Sequence, residues 1–148
     1  MTSIPAKLRI LFLCAGNDCR SQMAEGWVRS LKADVIDASS AGLEAAGALD
    51  PRGVKCMAEA GIDISGQRRQ PVTACQDTPF DYVITLCDRS QECCPPFPAT
   101  VRVLNTRFAD PQKLAARERT EDGRMQHYRR IRNEIRRFVE ALPSALTE

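Results

Sequence analysis

The first chemical signal in the chain is a cysteine, an arginine and a serine at fixed spacing. Cys14 is followed by five residues and then by Arg20 and Ser21, in the run Cys-Ala-Gly-Asn-Asp-Cys-Arg-Ser. Such a loop suits an oxyanion. Gly16 allows backbone conformations closed to other residues and lets a ligand come close. The backbone N–H groups of Ala15, Gly16, Asn17, Asp18, Cys19 and Arg20 can turn inward on an anion, as in a nest. The N-terminus of a following helix adds its positive dipole end. Arg20 supplies a planar fork that pairs with two oxygens of a tetrahedral anion. The same field is expected to lower the Cys14 pKa and make this residue the thiolate nucleophile, with the Ser21 hydroxyl placed to donate to it. A free cysteine titrates near ~8.5, so a fall of about two units would turn it from mostly thiol to mostly thiolate at neutral pH. C-x5-R alone is a common pattern. Its force here comes from the strand, glycine, Arg-Ser pair and helix arranged around it.

These residues need a frame to hold them. Lys7 to Cys14 contains the apolar run Ile10-Leu11-Phe12-Leu13 and reads as a buried strand. Ser21 to Leu31 has helical spacing, with Met23, Ala24, Trp27, Val28 and Leu31 on one face. Asp34 to Ala38 reads as a second strand, and Ser39 to Gly42 as a loop. Asp50-Pro51 opens a helix as N-cap and first helical residue, and Gly61 closes it. Tyr82 to Leu86 and Val101 to Leu104 read as third and fourth strands. Asp110-Pro111 opens a long helical region that reads as beginning with an ordered insertion, since Ala115 to Gly123 is highly charged, and whose apolar residues then run from Tyr128 to Leu142. Strands alternating with helices imply an α/β fold, a four-stranded parallel sheet with helices on both faces, in one domain over 1–148. Ligands of such sheets bind beyond the carboxyl ends of the strands, which is where Cys14, Cys87 and Asn105 fall.

Composition narrows the function classes. The 148 residues carry a net charge of only +2, so the chain lacks the basic footprint of a nucleic-acid binder. The arginines around Arg129 to Arg137 read as a solvated helix face. No stretch reaches the ~20 apolar residues of a membrane span, and the N-terminus does not read as a signal peptide. Seven cysteines form no even disulfide framework and include no C-x2-C pair, and His127 is the one histidine, which argues against zinc. The expectation is a cytoplasmic, monomeric protein with no tightly bound cofactor, whose cysteines do redox chemistry.

The segment Cys14 to Gly26, C-A-G-N-D-C-R-S-Q-M-A-E-G, closely resembles the thiol-dependent arsenate reductases built on the low-molecular-weight protein tyrosine phosphatase fold. Ser40-Ala41-Gly42-Leu43, Gly61-Ile62-Asp63-Ile64-Ser65 and Thr85-Leu86-Cys87 are similar to family segments in the same order. The resemblance implies a Rossmann-like three-layer fold and reduction of arsenate to arsenite in arsenic detoxification, through three cysteines. Cys14 attacks arsenate, Asp110 protonates the departing oxygen, and Cys87 attacks the Cys14 adduct to form a Cys14–Cys87 disulfide. A third cysteine then carries the disulfide outward. The family's Cys-Pro pair matches Cys94-Pro95, with Cys93 beside it as the alternative. Thioredoxin commonly reduces the last disulfide, although glutaredoxin or another thiol donor would leave the same motif. Phosphate or sulfate would compete for the loop. Cys19 matches a family cysteine that is not the nucleophile; Cys56 reads as core, and Cys75 has no assigned role. Some family members hold a potassium ion near the loop, and Asn17, Glu25 and Ser40 match part of that constellation. An acidic ligand expected soon after Ser65 is replaced by Gln70, between Arg69 and Pro71.

The principal rival is a low-molecular-weight protein tyrosine phosphatase, which hydrolyses phosphate monoesters through a phosphocysteine. It needs Cys14, Arg20, Ser21 and Asp110 but neither Cys87 nor Cys94. Such phosphatases usually carry aromatic residues after the Asp-Pro pair, whereas Gln112, Lys113 and Leu114 follow here. Weak residual phosphatase activity is compatible with the reductase reading. A non-enzymatic arsenite-sensing thiol protein would explain the cysteines but leave Arg20 and the anion loop without a task.

Overall fold

A computed structural model describes residues 6–44, 47–87 and 95–146. Four strands, β1 (Leu8–Leu13), β2 (Ile36–Ala41), β3 (Tyr82–Thr85) and β4 (Arg102–Asn105), pair in parallel in the order β2-β1-β3-β4. The helices are α1 (Arg20–Leu31), α2 (Pro51–Glu59), α3 (Pro111–Ala115) and α4 (Glu121–Glu140), with a 3-10 turn at Val72–Ala74.

The apolar run in β1 is continuous because both of its faces are covered. Side chains alternate across a strand, so Ile10 and Phe12 join Ile84 and the buried residues of α1, α2 and α4. Leu11 and Leu13 turn the other way, onto Val72, Cys75, Phe80 and Val83, with Phe97 and Val101 at the margin. Among the described residues, α1, α2 and α4 pack on the first face, and the 3-10 turn and neighbouring segments pack on the second. The Trp27 indole N–H donates to the Arg132 carbonyl at 3.2 Å and locks α1 against α4. Leu31, expected on the buried face of α1, is instead partly exposed, because it lies in the last turn beyond the contact with α4.

Several element ends differ from the sequence expectation. β2 begins at Ile36 and runs through Ser39 and Ser40 to Ala41, because these residues continue the ladder opposite Leu11, Phe12 and Leu13. The region opened by Asp110-Pro111 divides into two helices, each with its own cap. Asp110 Oδ1 accepts from Gln112 N, and Thr120 Oγ1 accepts from Gly123 N. Asp50 caps α2 as expected, and Gly61 takes φ +85° just past its end. No helix among the described residues is long and apolar enough to cross a membrane.

The strand order reverses between β1 and β3. A doubly wound sheet opens its ligand crevice at that reversal, beyond the carboxyl ends of the two strands. Leu13 pairs with Thr85 there, so Cys14 and Cys87 leave the sheet side by side.

Candidate active site

Residues 14–20 turn from the end of β1 into α1, and their carbonyls face outward. Ala15 O accepts from Glu44 N, Gly16 O from Arg69 Nε, Asn17 O from Gln22 Nε2, Asp18 O from Asp50 N, and Cys19 O from Met23 N, at distances of 2.9 to 3.0 Å. A trans peptide is planar, with its C=O and the following N–H opposed. Anchoring these carbonyls therefore turns the next N–H groups away from the anchors, as an anion-binding nest requires. α1 starts at Arg20 with no side-chain cap on its first turn and no acidic residue within it. That leaves the positive end of the helix directed at the loop.

The conformationally special residue of the loop is Asn17, not Gly16 as expected from the sequence. Asn17 has φ +53° and Gly16 has no positive φ. Asparagine tolerates the left-handed region because its short amide bonds locally. Here Asn17 Nδ2 donates to Ser21 Oγ at 2.9 Å, and Asn17 Oδ1 accepts from Gln70 N at 2.9 Å. A methyl group on Gly16 would meet the Asp18 side chain at 3.0 Å. Gly42 is more constrained. A methyl there would lie 2.5 Å from the Cys14 carbonyl and 2.7 Å from that of Ala15. The turn after β2 is thus a floor pressed against the loop backbone.

Cys14 and Cys87 form a small buried cluster of their own, 3% and 6% exposed. Ala15 N donates to Cys87 Sγ at 3.1 Å, so the second thiol already occupies one loop N–H. The Cys14 thiol is held well above its ordinary range, first by its hydrogen bond with Cys87 and then by burial, with Arg20 pulling the other way. This reverses the expectation of a depressed pKa. Proximity of the second thiol and loss of water stabilise the protonated form more than the Arg20 cation stabilises the thiolate. Ser21 Oγ accepts from Asn17 Nδ2 and so braces the loop, a bond that uses an acceptor site of the hydroxyl and not its proton.

Arg20 is buried and tied to the segment that follows β4. Its Nη1 donates to the Phe108 carbonyl at 2.8 Å, and its Nη2 lies 3.8 Å from Asp110 Oδ2. Phe108 N donates in turn to Leu86 O, next to Cys87. The loop, the proposed acid and the second cysteine therefore share one set of contacts. Cys93 and Cys94 lie outside the described residues. Cys19, Cys56 and Cys75 are buried, and burial raises each thiol pKa, that of Cys56 to about 12.

The Asn17, Glu25 and Ser40 constellation does not fit a potassium ion. Ser40 Oγ donates to Glu25 Oε1, and Arg29 pairs with Glu25 Oε2. Gln70 donates from its backbone to Asn17 Oδ1 and from its side chain to the Ser40 carbonyl at 2.9 Å. Asn17 Oδ1 and the Ser40 carbonyl already accept from Gln70 nitrogens, Glu25 Oε1 accepts from the Ser40 hydroxyl, and the one carboxylate charge is matched by Arg29. Among the described residues no cluster of three His, Cys, Asp or Glu could hold a metal.

Sequence reasoning missed Gly42, Arg69, Gln22 and Gln112. Gln22 and Gly42 lie inside the family-like segments without a role of their own, and apart from the Gln22 bond to the Asn17 carbonyl their partners lie far off in the chain. Arg69 was visible only as a neighbour of Gln70. Its guanidinium reaches the carbonyls of Gly16, Ala48 and Glu44.

Comparison with known proteins adds an independent finding. Residues 9–148 match the family model described as low molecular weight phosphotyrosine protein phosphatase. An arsenate reductase of Bacillus licheniformis is 43% identical over 139 residues, spanning 91% of this chain and 97% of the relative. One of Bacillus subtilis is 42% identical over 126 residues, 85% of this chain and 88% of the relative. A solved arsenate reductase in the oxidized state superposes with TM-score 0.77 at 29% identity, covering 94% of this chain and 98% of that one. One in the reduced state gives TM-score 0.71 at 30% identity, covering 95% and 99%.

Proposed function

The chain belongs to the low molecular weight phosphotyrosine protein phosphatase family, and from that premise we propose that it is an arsenate reductase using Cys14 and Cys87 as its reducing dithiol. The observation that carries this reading is the position of Cys87. Its sulfur accepts from a loop N–H and forms a small buried cluster with Cys14. Phosphate ester hydrolysis needs no second thiol there.

The reaction balances on these groups. Arsenate enters the loop, and Arg20 with the loop N–H groups takes its negative charge. Cys14 Sγ attacks arsenic, and Asp110 donates the proton with which one arsenate oxygen leaves as water. Cys87 Sγ then attacks Cys14 Sγ. The arsenic–sulfur bond breaks, its electron pair stays on arsenic, and arsenite departs. The dithiol has lost two electrons and become a disulfide. Because Cys87 occupies the Ala15 N–H, its withdrawal accompanies substrate entry and its return completes the reduction. That withdrawal also removes the largest influence keeping Cys14 protonated.

Burial of both cysteines argues for a third thiol. An external reductant must attack a disulfide sulfur directly, and neither sulfur is open to a protein partner. Cys94, seven residues beyond Cys87 and followed by proline, is the proposed carrier, with thioredoxin as the reductant outside and the cytoplasm as the compartment. Phosphate and sulfate are proposed as competing oxyanions.

Purified protein supplied with thioredoxin, thioredoxin reductase and NADPH should consume NADPH when arsenate is added. Cys94→Ser should stop this turnover and Cys93→Ser should not; the reverse pattern would move the carrier role to Cys93. No arsenate-dependent NADPH loss, together with brisk hydrolysis of an aryl phosphate, would replace the reductase by a phosphatase.

A further inference from the structure

Asp110 stands on a short piece of chain. α3 has five residues, and Asp110 caps it with Oδ1 while Oδ2 faces Arg20. A single helical turn is weakly self-supporting, so its placement over the loop depends on tertiary ties. One such tie lies outside the acid itself. Gln112 Nε2 is 2.9 Å from Asp18 Oδ2 and 2.9 Å from Asp50 Oδ2. A primary amide carries two N–H donors, one for each carboxylate.

The two carboxylates differ in kind. Asp18 belongs to the oxyanion loop. Asp50 is a fixed post: it is 8% exposed, its Oδ1 caps α2 through Arg52 N, and its Oδ2 also accepts from the Tyr128 hydroxyl of α4 at 2.6 Å. Its backbone N–H holds the Asp18 carbonyl. Gln112 therefore hooks the acid-bearing turn both to the loop and to a post set in two helices. A neutral double donor is what this place requires, because without it two carboxylates would face each other unbridged.

We infer that Gln112 is a positioning residue for Asp110, its side-chain amide strapping α3 to Asp18 and Asp50 so that the acid is held over the oxyanion loop. This rests on the assignment of Asp110 as the proton donor. A carboxyl group displaced by about 1 Å from its working geometry can lose much of its effect on rate.

The test is a double-mutant cycle in the thioredoxin-coupled arsenate assay, with Gln112→Ala, Asp110→Asn and the pair. Gln112→Ala should lower kcat about tenfold or more and leave the arsenate KM within about twofold, and Asp110→Asn should lower kcat about 100-fold. In the Asp110→Asn background Gln112→Ala should add no loss, because the strap has nothing left to position. Gln112→Glu keeps the shape but loses the donors. It should be impaired at neutral pH and should recover relative to wild type as pH falls and its carboxyl gains a donating proton. Melting temperatures of all variants guard against simple unfolding. An equal loss from Gln112→Ala in both backgrounds, or no loss in the wild-type background, overturns the inference. If the wild-type protein lacks arsenate turnover but hydrolyses an aryl phosphate, the reductase reading fails on its own. The same cycle is then read on the ester, where Asp110 would protonate the leaving oxygen. A protein with neither activity removes both.

Discussion

Cys14 is subject to opposed influences from its neighbours. Cys87 and burial favour its thiol, while the Arg20 guanidinium favours its thiolate. Replacing Cys87 with alanine removes the largest upward influence and leaves Arg20 in place. The Cys14 pKa in Cys87→Ala should therefore fall below its wild-type value, and a larger thiolate fraction should be present at pH 8. Thiolate absorbance, read as the difference between Cys87→Ala and Cys14→Ser/Cys87→Ala across a pH titration, measures this. A midpoint equal to or above that of Cys14 in the intact pair would contradict it. At this scale the sequence was informative about identity and less so about state. Residue type and spacing marked Cys14 and Arg20, while Asp110 read from the sequence as a helix cap and took its acid role only from the family resemblance. The partner that reverses the pKa of Cys14 stands 73 residues away, and only the pairing of β1 with β3 brings it near. Asn17 is similar. Glycine was the natural candidate for an unusual backbone angle, yet the left-handed residue is the one whose amide can bond both Ser21 and Gln70.

The elements act as mounts for the loop. β1 delivers Cys14, α1 receives Arg20, and the end of β2 supplies the floor at Gly42. Overpacking a tight contact costs about 1–3 kcal/mol. A methyl group 2.5 Å from the Cys14 carbonyl must push the loop, because the backbone on both sides is bonded in place. Gly42→Ala should therefore lower kcat/KM by about 10- to 100-fold if that strain falls on the reacting geometry. Far-ultraviolet circular dichroism should remain native. Steady-state kinetics beside that spectrum would check it, and unchanged kinetics would show that the floor does not set the loop. The segment from Ser39 to Gly42 reads as loop because serine, alanine and glycine lack strand character. It is strand through Ala41 because β1 offers a ladder for it and because small residues fit beneath the loop. Caps were easier to read, since Asp50-Pro51 and Asp110-Pro111 carry their mechanism in adjacent residues. The division of α3 from α4 was legible only as the highly charged stretch Ala115 to Gly123. The charge set that stretch apart, but Thr120, which caps α4, carried no signal of its own.

Across the whole molecule, the sheet order places the chemistry. The order turns between β1 and β3, so Cys14 and Cys87 follow neighbouring strand ends, where ligands of such sheets bind. The order itself depends on long-range pairing and leaves no local trace. The arginines of α4 only partly follow the charge pattern. Arg130 and Arg136 lie on a solvated face, paired with Glu134 and Glu140, and Arg136 lies over Trp27. Arg129 and Arg132 instead turn inward to α2, where both meet Glu59 and Arg132 donates to the Cys56 carbonyl, because α4 packs against α2 on that side. In the proposed reaction the molecule stores two reducing equivalents in one buried pair, Cys14 and Cys87. A single-turnover experiment on the fully reduced Cys93→Ser/Cys94→Ser protein, with arsenate and no external reductant, tests this most directly. The predicted result is one equivalent of arsenite and a Cys14–Cys87 disulfide found by peptide mass mapping. Full retention of both thiols with no arsenite formed, while a phosphate ester is hydrolysed at the same loop, would contradict it.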